Sequence, residues 1–296
     1  MACLTTAVSA ATAQVRVETT DYKGWAGCAR ISNRDIEIVF VPQIGRVMRY
    51  ARKGGPNLLW ENPALLGKTR ASVPISEPWA NFGGDKLWNA PQSRWNWPPD
   101  AEIDAGPHKV THLSDGIRTE GTPSRRVGLR MIREIRMRPH GTEVLFSNRM
   151  ENVGAETSLW SIWQVTQVAD PVFAAMQAHT TDEISNGYRT VTEPAPGMLT
   201  KDGDRILLRR DRTKPCKIGT DHPGGVLWAQ IGSDLLEMHY EVPKTGSPAD
   251  GHSWMEIYTN PDPLAYIELE AVGPLMAIAP GQAITHRTRW KIRSAS

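Results

Sequence analysis

The run Tyr266-Ile267-Glu268-Leu269-Glu270-Ala271 alternates polar and apolar residues, so on an extended chain Tyr266, Glu268 and Glu270 share one face and Ile267, Leu269 and Ala271 the other. The preceding run, Trp254-Met255-Glu256-Ile257-Tyr258-Thr259, puts Trp254, Glu256 and Tyr258 together in the same way. Joined as a hairpin across Asn260 to Leu264, the two runs would make a patch of three acids and three aromatics. A solvated outer sheet face would also hold acids, but normally mixed with Lys and Thr. Carboxylates held side by side can split their pKa values into one acid and one base. Glu270, Glu268, Glu256, Asp85 and His239 are the candidates for those two roles.

A second concentration of chemistry lies at Asn81 to Asp100, NFGGDKLWNAPQSRWNWPPD, where Trp88, Trp95 and Trp97 stand among glycine, proline and asparagine. The chain has 11 Trp against 4 Phe, an inversion of the usual core preference, since a buried indole N–H needs a partner. Indoles on a loop would suit a sugar, whose apolar ring face stacks on them while its hydroxyls need fixed polar partners. Asn81, Asp85, Lys86, Asn89 and Gln92 could supply those partners. The alternative is that these tryptophans pack with Pro91, Pro98 and Pro99 to plug one end of a sandwich.

The elements that must carry these residues are extended. Period-two alternation marks Asp35 to Val41, Leu129 to Arg138, Glu143 to Met150, Ser158 to Val168, Gly225 to Ile231, Leu235 to Val242, Trp254 to Asn260, Tyr266 to Ala271 and His286 to Arg293, punctuated by Gly, Pro and Asn. Only Glu61 to Lys68 and Pro171 to His179 read as brief helices. The expectation is an all-β protein, a large antiparallel β-sandwich, with residues 22–293 as a single domain. Residues 1–21 read as an export signal, with an Ala-Thr-Ala site ending at Ala13, or as a disordered tail. The expected location is periplasmic or secreted if the signal is real, and otherwise cytoplasmic. Cys28 and Cys216 could form one bridge in an exported chain.

Lys plus Arg at 34 against Asp plus Glu at 32 gives a net charge of +2, which argues against nucleic acid or a membrane surface as partner. A carbohydrate, as a small molecule or an oligosaccharide, is the expected partner. There is no dinucleotide or phosphate-binding glycine motif, no Gly-x-Ser-x-Gly elbow and no zinc signature, so no cofactor and no metal are expected. The alternating Asp100, Glu102 and Asp104 read as a solvated loop sooner than a calcium site. Arg133, on an otherwise apolar face, is either paired internally or lining a site.

In order, Val41 to Tyr50 (VPQIGRVMRY), Gly54 to Leu59 (GGPNLL), Asn81 to Lys86 (NFGGDK), Glu151 to Gly154 (ENVG), Glu268 to Glu270 and Ala279 to Gln282 (APGQ) resemble the galactose mutarotase-like superfamily. The resemblance covers roughly Tyr22 to Arg293 and is nearest to an uncharacterised bacterial branch with Gly-Gly-Asp-Lys-Leu-Trp and Trp-x-Trp-Pro-Pro-Asp signatures. It implies a β-supersandwich with a sugar site on a concave sheet, where a strand Glu, here Glu270, acts as base and a His as acid. The chain departs where that pattern has its histidines, with Phe82-Gly83-Gly84 and with Leu159-Trp160-Ser161-Ile162-Trp163-Gln164. Trp163 and Gln164 are therefore counted with Asn81, Asp85, Lys86, Trp88, Trp95, Trp97 and Tyr258 as substrate-binding candidates, and Glu270, Glu268, Glu256 and His239 as catalytic ones. The expected function is a carbohydrate-active enzyme, an epimerase or a hydrolase using strand carboxylates; a sugar-binding module without chemistry, and a structural or interaction domain with core tryptophans, remain open readings.

Overall fold

The computed structural model describes residues 14–295. The export-signal reading, with its cleavage after Ala13, lies outside the described residues. Two antiparallel sheets of 11 and 10 strands pack face to face. All nine alternating runs are strands, from Ile36–Val41 through Ala283–Ser294. The Pro171 to His179 helix is not formed: Phe173–Gln177 is a strand of the 10-stranded sheet, because its Ala174-Ala175-Met176 segment is buried between neighbours on both edges. Of Glu61 to Lys68, only Pro63–Leu65 winds into a short 3-10 turn. The sheet begins at Arg16–Tyr22, ahead of Tyr22, where the sequence reading starts the domain.

Asp85–Ala90, inside the segment expected to be a loop, is a central strand of the 11-stranded sheet and buried along its whole length. It pairs with Ser158–Ala169, which pairs in turn with Tyr266–Val272. Met255–Thr259 and Cys216–Thr220 follow. Gly83 and Gly84, at φ +92° and +71°, lead into the strand. A Cβ on either would fall 2.3 Å from a backbone carbonyl oxygen, of Trp60 or Val47, so only glycine allows this approach.

The inner faces of the two sheets enclose the main core, with Ile38, Phe40, Ile135, Phe146, Met238, Leu269 and Trp290 among its buried residues. A polar network runs through the middle of this layer. Arg133 meets Asp85 at 2.6 Å and donates to Asn148 at 2.9 Å, while Gln164 donates to Asp85 at 2.8 Å and accepts from Asn148 and Thr288. Asp85 and Gln164 are thus corrected from substrate-binding candidates to internal partners. Alternation puts them on the strand face opposite Lys86 and Trp163.

Other expectations are also settled by position. Cys28 and Cys216 are free thiols, each buried and pushed up to about 11 by burial. Asp100 caps the Ala101–Ala105 helix, Glu102 pairs with Arg125, and Asp104 pairs with Arg46 at 2.7 Å, so the three carboxylates serve separate partners. No helix among the described residues is long and apolar enough to cross a membrane.

Candidate functional site

The outer face of the 11-stranded sheet floors a cleft of about 570 Å³, lined among others by Trp88, Trp163, Lys217, His252, Glu268 and Glu270. Strand register assembles it. Glu256 stands opposite Glu270 and Tyr258 opposite Glu268, as the hairpin reading requires, while Lys217 lies opposite Tyr258 on the next strand. Trp254 does not join them. It precedes the strand Met255–Thr259 and packs into the main core against Tyr240, so the patch holds three acids and two tyrosines.

Glu270 is the most perturbed of these acids. One of its oxygens, Oε2, accepts from the Trp163 indole at 2.6 Å and from Lys217 at 2.9 Å; the other, Oε1, has no partner. Burial, reinforced by the Glu256 and Glu268 charges and only partly offset by Lys217, raises the carboxyl to about 8. Glu256 behaves oppositely. Burial works against its charge too, but Lys217 at 2.8 Å and His252 at 3.0 Å outweigh it and bring the carboxyl down to about 2. Burial likewise disfavours the Lys217 ammonium, yet its two carboxylates hold it above the ordinary lysine range. The favoured state is therefore an ionised Lys217–Glu256 pair beside a protonated Glu270.

His252 and Lys217 are site residues that sequence reasoning missed. Glu256 Oε2 meets His252 Nδ1, and its Oε1 accepts the Ser253 backbone N–H at 2.8 Å, so one buried carboxylate fixes both the imidazole and its loop. Because Glu256 is ionised, Nδ1 must carry the proton, which leaves Nε2 as the basic nitrogen. The only sequence signal was the His252 to Glu256 spacing in a chain of scattered histidines. Lys217 was legible as the polar member of Cys216-Lys217-Ile218, a run too short to stand out.

Glu268 and Lys86 form the adjoining part of the floor. Glu268 Oε1 accepts from Gln167 at 2.9 Å and lies 3.4 Å from Lys86 Nζ. Lys86 is buried beneath the cleft wall with its ammonium 4.5 Å from the centre of the Trp88 ring; burial, partly repaid by Glu268, lowers its pKa. Tyr258 lines the cleft, its phenol pushed up to about 12 by burial and by Glu268 and Glu270.

The aromatic wall is Trp79, Trp88, Trp97 and Trp163, in edge-to-face contact: Trp79 and Trp97 are 5.0 Å apart and Trp88 and Trp163 5.1 Å. Trp97 is half exposed at the mouth. Trp95 is not on the wall. It packs behind Trp88 and donates to the Asn89 carbonyl, so its place as a sugar contact is corrected to one of support. Asn81 lies outside the cleft, in an adjoining cavity that Trp79 also lines. His239 is corrected as well: it belongs to Asp234–Tyr240 in the other sheet, beside Glu237, and cannot serve this cleft.

The family model described as a domain of unknown function (DUF4380) matches residues 28–293. No curated protein matches the chain. Among solved structures, a galactose mutarotase-like protein from Lactobacillus casei aligns over 90% of this chain and 100% of its own, at TM-score 0.61 and 7% identity. A galactose mutarotase-like protein from Clostridium acetobutylicum aligns over 95% and 99%, at TM-score 0.61 and 8% identity. A TPR-domain containing protein from Parabacteroides distasonis aligns over 91% of this chain at TM-score 0.62 and 13% identity; the chain spans 47% of that protein's length. What is shared at such identities is the fold, the galactose mutarotase-like β-sandwich.

Proposed function

Because this chain belongs to the family described as domain of unknown function DUF4380 and has the galactose mutarotase-like fold, we propose that its cleft takes a saccharide and exchanges protons with it as an aldose epimerase does. The observation that carries this reading is the presence in one cleft of Glu270, whose carboxyl burial pushes toward the protonated form, and of His252, held through Nδ1 by Glu256 at 3.0 Å. Anomer exchange needs one group to take the proton of the anomeric hydroxyl and another to protonate the ring oxygen as the ring opens. His252 Nε2 is the base and the Glu270 carboxyl the acid, the reverse of the roles the family resemblance implies.

The aromatic wall suits the apolar face of a pyranose, and Glu268 and Tyr258 suit its hydroxyls. Lys217, the cation on the wall, is committed to Glu256 and Glu270, so the site favours a neutral sugar over a uronate or a sugar phosphate. A carboxylate-pair hydrolase fits less well. Glu256 and Glu270 both touch one ammonium, at 2.8 and 2.9 Å, which is too close for the about 6.5–9.5 Å of inverting enzymes, and the about 5 Å pair of retaining enzymes needs both carboxylates at the substrate, whereas Glu256 does not line the cleft.

Titration of intrinsic tryptophan fluorescence with neutral and acidic monosaccharides and oligosaccharides tests the binding half. Saturable change with neutral sugars, absent with uronates, is the expected result. A response to uronates alone, or none across the panel, would contradict the reading.

A further inference from the structure

Glu268 is 7% exposed and lines the cleft, yet only one of its oxygens has partners. Oε1 accepts from Gln167 at 2.9 Å and lies 3.4 Å from Lys86 Nζ. Oε2 takes no hydrogen bond among the described residues and, unlike Glu270 Oε1, is not sealed from solvent. A carboxylate oxygen held this deep without a donor leaves room for one on a ligand. The charges around it agree in sign. Of the cations nearby, Lys86 is sealed beneath the indoles, and Lys217 is committed to Glu256 and Glu270. Asp250, exposed in the same cleft, adds a further acid. The two phenols that line the cleft feel the resulting field: after burial, the Glu268 charge does most to push both Tyr258 and Tyr266 up, and Lys217 counts least at Tyr258.

A sugar hydroxyl could donate to Oε2, but an ammonium makes a charge-assisted bond there, roughly twice as strong, and relieves the negative field as well. The strand allows this contact and the proton exchange at once. Glu268 is the next residue to Glu270 on the cleft face, about 7 Å along the chain, a span that one hexose bridges. We infer that the cleft prefers an amino sugar, its ammonium on Glu268 Oε2 and its anomeric carbon at His252 and Glu270. Neutral sugars bind without the first of these contacts. This rests on the cleft being a saccharide site, and it adds a charge preference, set by Glu268, to that reading.

The test measures affinities by calorimetry at about pH 6, where an amine of this kind carries its proton. The ligands are glucosamine, galactosamine, mannosamine and 6-amino-6-deoxyglucose, each against its parent hexose and its N-acetyl form, with native protein and Glu268→Gln. At least one amino sugar should bind about tenfold tighter than its parent. N-acetylation should remove that preference and added salt should reduce it. Glu268→Gln should bring the ratio to about one, since its amide can keep the carbonyl toward Gln167 and Lys86 and turn a donor to the cleft. Parent hexoses binding as tightly as every amino sugar, or a preference that survives in Glu268→Gln, would overturn the inference and leave the cleft reading intact. Absence of binding by every sugar would overturn both. Should Glu268→Gln fail to fold, the N-acetyl forms decide on native protein, and a preference that N-acetylation leaves in place would overturn the inference.

Discussion

Glu256 and Glu270 share one lysine and end in opposite protonation states, and the difference lies in their other neighbours. Glu256 also accepts from His252 and the Ser253 N–H, all favouring the anion, whereas Glu270 gains only the Trp163 N–H and leaves one oxygen unpaired. Removing the proton donor by Glu270→Gln, or the base by His252→Ala, should lower kcat/KM for anomer exchange by on the order of 10²–10⁴, with folding retained. Glu256 touches no substrate and acts through His252. Glu256→Gln should therefore lower kcat and displace the pH profile while leaving KM nearly unchanged, because the fixed tautomer is lost. Stability carries the same signature. A carboxyl raised from its unfolded value of 4.5 to about 8 makes the folded state bind the extra proton between those limits, so that contribution falls as pH rises through the window. Native protein should lose thermal stability between about pH 5 and 8 relative to Glu270→Gln, and a constant difference between the two across that range would contradict the assignment. Below that window, Glu256 contributes in the other sense, its stabilisation being lost as pH falls from 4.5 toward about 2.

Two elements set the site's geometry. Gly219, opposite Glu256 on the neighbouring strand, lies where a Cβ would come within 2.6 Å of Ser253 Oγ, so its missing side chain lets the His252 loop close over Glu256. Gly219→Ala should cost about 1–3 kcal/mol, measured by denaturant unfolding, and should weaken turnover by displacing His252; an unchanged midpoint would show that the loop gives way freely. The other element is Asp85–Ala90. Tyr266–Val272 was legible because its acids alternate with aliphatics, although it is buried along its whole length. Asp85–Ala90 was not, because it carries charge on both faces, with Asp85 serving the inner network and Lys86 sealed beneath the indoles, so no polar–apolar alternation marks it. Its polar letters read as loop when their partners, Arg133 and Glu268, are 48 and 182 residues away along the chain. His252 was hidden for a related reason: a loop residue has no period, and only the fold shows that Glu256 faces it.

Across the whole molecule, the sheet that carries the cleft is joined to the other through Asp85, Gln164, Asn148 and Arg133, a charged network inside an apolar layer. Asp85→Asn strands the Arg133 cation and should cost about 3–5 kcal/mol of unfolding free energy, seen as a lower denaturant midpoint; an unaltered midpoint would mean that the network is not a stabilising link. The supersandwich and the acid hairpin could be read from alternation and motif order, since both depend on neighbours in sequence. The acid–base pairing could not, since Lys217, His252, Glu256 and Glu270 meet only through strand order. The measurement that bears most directly on the account is the rate of α to β anomer exchange of neutral aldoses, followed by NMR exchange spectroscopy with native protein, Glu270→Gln and His252→Ala. Native protein should accelerate the exchange over the uncatalysed rate for at least one neutral sugar, and both variants should abolish that acceleration. Saturable sugar binding with no acceleration would contradict the catalytic claim and leave a binding protein, and acceleration that survives in either variant would contradict the assignment of acid and base.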